Sequence, residues 1–572
     1  MMVRDEWKNL NGLWDYAIIA RDANRPEEYQ GKILVPFAVE SALSGVGKPV
    51  GSKQCLWYHT AFTIPSGWKG KKIFLNFGAI DWESTIWVNG KEIGTHRGGY
   101  DSFCFDITDA LKGAGEQELV IRVWDPTDEN NATQPHGKQV MRPGGIFYTA
   151  VTGIWQSVWL EKVGAGWIEY ARWVPDLNGY RFELLARIAG RWEGLRLRVV
   201  LHIDSKVLAR DEYAVVCAEV HRSVSLSDPG IDDYRNKLLW SPDRPTLVLA
   251  DLELIDQHDN VLDRLHTYTA MRSPSVLGDR FMLNGRPLHL RLVLDQGYWP
   301  ESGLTPPSDE AARADVELVK QMGFNGVRAH QRIPDPRYLY WADVLGLVVW
   351  EEMPSPYRFS TPTVLRLTSQ WAEAIQRDIS HPCVIVYVPL NESWGVPDLP
   401  TNSAHRHTVR AMYHLTKALD DSRPVVGNDG WEMDLTDIIA IHDYDSSPES
   451  IVNRYQDLRQ PQQILSSQRP GRRVLLLNKQ AYRGQPIMLT EFGGIAMRHK
   501  GSWGYSQVEG PRQLQRQYSR LMQAVHSLPG LAGFCYTQFA DTYQEANGLL
   551  RADRTPKFPL EQMRKATLGQ GP

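Results

Sequence analysis

CVIVYVPLNESW, residues 383–394, is the stretch that decides the fold. Its apolar run, Val384 to Val388, is too short for an ordinary helix. It reads instead as a strand buried on both faces, the kind found in a parallel sheet. The run gives out at Asn391-Glu392, so a carboxylate stands where the strand leaves the core. About a hundred residues later the pattern returns. Gln485-Pro486 opens it, Ile487-Met488-Leu489 is its core, Thr490-Glu491 ends it, and Phe492-Gly493-Gly494 follows. Two buried strands that each deliver a Glu at their C-terminal end point to a single barrel mouth holding both acids.

Working outward, the segment after Arg272 alternates strand and helix. The expected strands are 288–294, 323–330, 347–353, the 383–392 run, 424–430, 438–444, 486–492 and 531–539. Helices are expected over 308–322, 335–345, 363–379, 403–419 and 510–526, with Ser308 as an N-cap. Eight such units in about 300 residues are the pattern of a (β/α)₈ TIM barrel. Polar residues collect at the expected strand ends: Asp295, Arg328 and His330, Glu351 and Glu352, Asn391 and Glu392, His442 and Tyr444, Glu491, and Gln538 with Asp541. Strand interiors stay apolar, which is the division an active-site mouth requires.

Upstream of the barrel the chain is all β. Residues 1–163 hold short alternating runs such as 56–65, 71–80, 84–94 and 117–126, with Asn89-Gly90 as a hairpin turn. They read as a jelly-roll sandwich. Residues 164–272, with strands expected at RFELLARIAG, LRLRVVLHID, EYAVVCAEV, TLVLADLELID and HTYTAMR, have the size of an immunoglobulin-like β-sandwich. The expected architecture is therefore three domains: 1–163, 164–272 and a catalytic barrel over 273–572.

Composition sets the remaining bounds. The chain has 572 residues and a net charge of −4, from 63 basic and 67 acidic side chains, so no nucleic-acid partner is implied. The 20 Trp, 23 Tyr and 15 Phe fit large β-rich cores, and some of them fit flat platforms for sugar rings. The five Cys at 55, 104, 217, 383 and 535 form no CxxC pair and read as reduced core residues. The first residues, MMVRDEWKNLNGLWDY, contain no apolar core of a secretory signal, and no 18-residue apolar stretch occurs. The expected location is the cytoplasm, with no membrane partner; a homo-oligomer is left open.

The chemistry follows from the two acids. Carboxyls about 5–5.5 Å apart run a double displacement at an anomeric carbon, one as nucleophile and one as acid/base. The acid must hold a proton near neutral pH and the nucleophile must stay ionised, so the latter needs hydrogen-bond donors. Tyr444 and Arg328 are the candidate donors to Glu491, and Asn391 is placed for the sugar hydroxyl beside the reacting carbon. His330 and His442 read either as hydroxyl contacts or as satisfied supporting residues. Trp299 and Trp394 read either as stacking platforms or as core. No tight His/Asp/Glu ligand spacing supports a metal site.

At this point the chain resembles glycoside hydrolase family 2, which contains β-galactosidases, β-glucuronidases and β-mannosidases. WVNGKEIGTHRGGYDSFCFDIT (87–108) is similar to the family's first-domain NG…G.H.GGY.PF..D.T stretch. Asn391-Glu392 and Thr490-Glu491-Phe492-Gly493-Gly494 match its acid/base and nucleophile motifs. VRAHQ (327–331) resembles its Arg-x-Ser-His segment, with Ala329 in place of Ser. The resemblance implies a retaining exo-β-glycosidase without an organic cofactor, with Glu392 as acid/base, Glu491 as nucleophile and Tyr444 supporting the latter. Asp295 and Trp299 lie in a plausible hydroxyl-binding loop, and Gln538 stands near where the family usually has a Trp. β-Glucuronidases of the family carry an Asn-x-Lys after the last strand that holds the substrate carboxylate. Residues 544–556, QEANGLLRADRTP, lack that Lys, with Arg551 and Arg554 as the only stand-ins. The expected carbohydrate substrate is therefore a β-galactoside. The alternatives are a β-glucuronide, mannoside, arabinopyranoside or galactofuranoside, a transglycosylase, or a non-catalytic carbohydrate-binding protein.

Overall fold

A computed structural model describes residues 2–113, 115–129, 132–226, 237–458, 460–478 and 482–570. The first sandwich packs a six-stranded sheet against a four-stranded one. In Lys72–Phe77 burial alternates, so Ile73, Leu75 and Phe77 point into a core shared with Leu119, Ile121 and Val123 of the facing sheet. Each such side chain contributes about 1.5–3 kcal/mol by leaving water. Asn89 and Gly90 join Glu83–Val88 to Lys91–Arg97 with φ of 52° and 82°. Both angles are positive, as a tight hairpin of this kind demands.

The second sandwich pairs a three-stranded sheet (Gly166–Asp176, Arg181–Gly190, Glu219–Ser225) with a four-stranded one. One expectation needs correction here. EYAVVCAEV is not one strand: Lys206–Ala214 ends before it is complete and Glu219–Ser225 begins after a bend, because the two ends belong to different sheets. The cysteines also differ from expectation. Cys55, Cys383 and Cys535 are buried, whereas Cys104 and Cys217 are exposed; all five are free thiols.

The barrel runs β1 (Leu290–Asp295), α1 (Asp309–Gln321), β2 (Gly326–Ala329), α2 (Pro336–Leu345), β3 (Val348–Glu352), α3 (Thr361–Asp378), β4 (Val384–Val388) and α4 (Ser403–Leu419). It continues with β5 (Ile439–Asp443), α5 (Pro448–Tyr455), α6 (Pro461–Ser467), β6 (Ile487–Gly493), α7 (Pro511–His526), β7 (Gly533–Thr537) and α8 (Leu560–Thr567). The seven strands are parallel in the order β4-β3-β2-β1-β7-β6-β5. Ser308, Ser360 and Asn402 cap α1, α3 and α4, each accepting a backbone N–H of the first turn.

The fifth expected strand, 424–430, is broken. It makes parallel bridges to the β4 side at Tyr387/Val425 and Asn391/Asp429 only. Pro424 has no N–H to give, and Gly427-Asn428 bends the chain between the two bridges. The gap is nevertheless spanned. Val426 N donates to Tyr387 O at 2.9 Å on one side, and His442 N donates to Gly430 O at 3.3 Å on the other. Eight staves therefore enclose the mouth.

The first sandwich lies over that mouth. Gly137 N donates to Ser355 O at 3.1 Å. A Cβ at Gly137 would stand 2.4 Å from Gln331 O, and its φ is +59°, so only glycine lets the loop sit so close. Gln544 Nε2 donates to Gly145 O and Phe147 O at 2.8 and 2.9 Å.

Candidate active site

Each acid is aimed by its own stave. At the end of β4 the chain turns sharply, with Glu392 and Ser393 at φ of 51° and 60°. Two consecutive left-handed non-glycine residues are strained, at about 1–3 kcal/mol each, and persist only when the surroundings fix them. Here Glu392 N donates to Asp429 O at 2.9 Å, Ser393 N to Asn428 Oδ1 at 2.9 Å, and Ser393 Oγ to Glu432 Oε2 at 2.7 Å. The broken stave thus holds the turn that points Glu392 into the mouth. Glu491 needs no such turn, because β6 runs on through it to Gly493.

One carboxylate oxygen of Glu392, one of Glu491 and a ring nitrogen of His442 all lie within 4.8 Å of one another. This matches the close spacing of retaining glycosidases, about 5–5.5 Å, and not the about 6.5–9.5 Å of inverting ones. The Glu392 side chain keeps 13% exposure against 5% for Glu491, so water reaches the first acid more easily.

Arg328, fully buried at the end of β2, ties the floor together. Its Nε donates to Glu352 Oε2 at 2.8 Å, Nη1 to Glu491 Oε1 at 2.8 Å, and Nη2 to Asn391 Oδ1 at 2.6 Å. Tyr444 Oη donates to the other oxygen of Glu491 at 2.6 Å, and its ring is stacked on Tyr505 at 3.4 Å between centroids. Burial would raise the Glu491 carboxyl, but the charges of His442 and Arg328 outweigh it and hold it down at about 2. Glu491 is therefore an ionised carboxylate with a donor on each oxygen.

His442 sits among three carboxylates. Nδ1 is 2.7 Å from Glu392 Oε1, and Nε2 is 2.8 Å from Asp429 Oδ1 and 3.4 Å from Glu491 Oε1. Burial would lower its pKa, yet the Glu491 charge and the bonds to Asp429 and Glu392 push it up to about 10. Both nitrogens then carry protons. The three side chains Glu392, His442 and Glu491 also have the spacing of a metal-ligand set. Asp429 is held at about 2, where burial would raise it, by the Arg328 charge and the His442 bond. Burial keeps His330 neutral; its Nδ1 lies 3.1 Å from Glu352 Oε1.

The other expected site residues divide. Trp394 Nε1 reaches Glu392 Oε2 at 3.3 Å, and its ring lies 4.8 Å from Tyr357 and 6.3 Å from Phe147. Gln538 Oε1 accepts from Gln296 Nε2 at 2.8 Å, and its own Nε2 is buried without a partner. Asp295 does not wait empty for hydroxyls: Oδ2 takes Arg332 Nη2 at 2.5 Å and Oδ1 takes Gly297 N at 2.9 Å. Trp299 already has partners for its ring and its backbone. Arg554 covers its ring at 3.6 Å, and its backbone pairs with Gly303. That arginine is itself bound to Asp315 at 3.1 Å and to Tyr298 O at 3.0 Å, so it is not free to hold a ligand carboxylate.

Asp429, Thr490, Tyr505 and Lys138 belong to the site without having been singled out from sequence. Asp429 stood at the end of an expected strand, the same signal that found the others. Thr490 precedes Glu491 and donates to Asp429 Oδ1 at 2.5 Å. Tyr505 and Lys138 come from loops, and no local pattern marks them.

The family model described as "Glycosyl hydrolases family 2, TIM barrel domain" matches residues 275–569, and "Glycosyl hydrolase 2 galactose-binding domain-like" matches 48–152. The chain is 28% identical over 381 residues to a β-galactosidase of Thermoanaerobacter pseudethanolicus, covering 65% of this chain and 48% of that protein. It is 22% identical over 601 residues to a β-glucuronidase of Paenibacillus borealis, covering 98% and 96%. The first of these relatives, and a putative β-glucuronidase of Formosa agariphila of which 40% is covered, are thus spanned only to about half their length or less. Among solved structures, a β-galacturonidase of Eisenbergiella tayi superposes with a TM-score of 0.76 at 20% identity, covering 100% of this chain and 97% of that one. At that identity the likeness establishes the fold. The barrel model alone takes in more than half of the sequence, and the chain belongs to glycosyl hydrolase family 2.

Proposed function

We propose that the protein is a retaining exo-β-glycosidase with Glu491 as nucleophile and Glu392 as acid/base. The observation that carries this reading is the pair of carboxylates with oxygens within 4.8 Å of each other, one doubly hydrogen-bonded and ionised. A Glu491 oxygen attacks the anomeric carbon as the bond to the leaving oxygen breaks, and the leaving oxygen takes a proton from Glu392. Water then gives a proton to Glu392 and attacks the same carbon, which frees Glu491. His442 Nδ1 lies 2.7 Å from Glu392 Oε1 and fixes the direction in which that carboxyl points. Asn391 spends its Oδ1 on Arg328, which leaves its amide nitrogen for the sugar hydroxyl next to the anomeric carbon.

The leaving group departs on the Glu392 side. There Trp394, Tyr357 and Phe147 are partly exposed and packed together, a surface suited to a flat aglycone or a second sugar ring. The named relatives divide between β-galactosidases and β-glucuronidases, so both sugars stand on that ground. Glu392→Gln tests the acid/base role. It should lose about 10²–10⁴-fold on a methyl glycoside, whose leaving group needs a proton, and far less on a dinitrophenyl glycoside. Equal loss on both would overturn the assignment of the acid.

A further inference from the structure

Around the mouth the buried cations are nearly all spoken for. Arg328 pairs with Glu352 and Glu491 at 2.7 and 2.8 Å, Arg332 with Asp295 at 2.5 Å, Arg554 with Asp315 at 3.1 Å and Lys557 with Asp541 at 2.6 Å. Lys138 differs. It is only 9% exposed, yet among the described residues its ammonium makes no hydrogen bond and no ion pair. Its nearest fixed neighbour is the ring of Tyr148, with Nζ 5.7 Å from the centroid.

Its place is fixed from both sides. Lys138 O accepts from Tyr148 N at 2.8 Å, and the preceding Gly137 is pressed against Gln331 O of the barrel. Tyr148, the ring beside the Lys138 ammonium, donates to Glu545, which also accepts from Asn547 Nδ2, so Lys138 stands against the loop that follows the last strand. Glu545 does not consume it. One oxygen of Glu545 takes Tyr148 Oη and the other takes Asn547 Nδ2 at 3.0 Å. In the same wall two buried polar atoms lack partners, Asn547 Oδ1 and Gln538 Nε2. A pocket that presents an unused ammonium beside an unused acceptor and an unused donor fits a sugar bearing one carboxylate and free hydroxyls.

We propose that Lys138, supplied to the barrel mouth by the N-terminal sandwich, reads a negative charge on the sugar being cleaved, so that the substrate is a β-linked uronic acid. The proposal rests on the retaining-glycosidase reading for the cleavage itself, though not for the binding. Its test uses both. Calorimetric titration of the full-length protein with free galacturonate, glucuronate, galactose and glucose should show the uronates binding at least about 10-fold tighter, the size of a hydrogen bond to a charged group. Lys138→Met should remove that preference and Lys138→Arg should keep part of it, with melting curves confirming that both variants fold. For the nitrophenyl glycosides, the ratio of kcat/KM for a uronide to that for the matching hexoside should fall about 10- to 100-fold in Lys138→Met. A wild-type protein that binds neutral hexoses as tightly as uronates overturns the proposal. So does a Lys138→Met variant that weakens both classes equally. Uronate binding that depends on Lys138, with no nitrophenyl glycoside cleaved, would leave the charge reading standing and sink the glycosidase reading.

Discussion

His442 serves the two acids in different ways. It holds Glu491 ionised through its charge, and it orients Glu392 through a direct hydrogen bond. Replacing it by Gln removes the positive charge, so the Glu491 carboxyl rises from about 2 and the acid limb of kcat/KM moves to higher pH. A pH profile of His442→Gln that keeps the wild-type acid limb would exclude that coupling. The same groups predict a stability window. His442 is raised in the folded state to about 10, so its contribution is whole below about pH 6.5 and disappears as pH climbs toward 10. Glu491 is depressed, so its contribution is whole above about pH 4.5 and is lost as pH falls toward 2. Melting temperature should therefore level off between those limits in the wild type, and its alkaline decline should weaken in His442→Gln. At this scale the sequence was informative about which residues meet, because strand ends are regular. It was silent about Trp299, because the arginine that covers its ring lies in a loop far along the chain.

Among the elements, the broken stave 424–430 and the loop over the mouth do work that a regular barrel would not need. The stave gives up continuous pairing and, in exchange, its backbone and Asn428 hold the left-handed turn at Glu392 and Ser393. Periodicity could announce a strand there but not its interruption, which depends on the single missing donor of Pro424 and on the bend after it. The loop carrying Gly137 reaches the barrel through a contact that leaves no room for a side chain. Gly137→Ala puts a methyl against a carbonyl oxygen and forces φ near +59° on a residue that resists it. The expected result is a loss of about 1–3 kcal/mol of stability, read as a lower melting temperature, together with a larger fall in kcat/KM than that loss explains, since the roof of the mouth shifts. Unchanged kcat/KM would mean that the loop is not part of the working site.

At the scale of the whole molecule, three β-rich or barrel units could be read in order along the chain because each has its own repeat: alternation at two residues upstream, strand and helix in turn downstream. What could not be read was the assembly between them. Along the sequence, the loop after the last strand offers Arg551 and Arg554 as cations for a carboxylate, and the fold binds Arg554 to Asp315. The fold sets Lys138 of the first sandwich, hundreds of positions earlier, beside Tyr148 and the Glu545 that Tyr148 binds, and no local pattern records that meeting. Beneath the question of the sugar lies the claim that Glu491 attacks carbon. A 2-deoxy-2-fluoro glycosyl fluoride slows the second step more than the first, so the covalent sugar accumulates on the nucleophile and peptide mass spectrometry locates it. The account predicts a single adduct on Glu491, absent in Glu491→Gln. An adduct on Glu392 or on any other residue, or a first product of inverted configuration with no adduct at all, would contradict it.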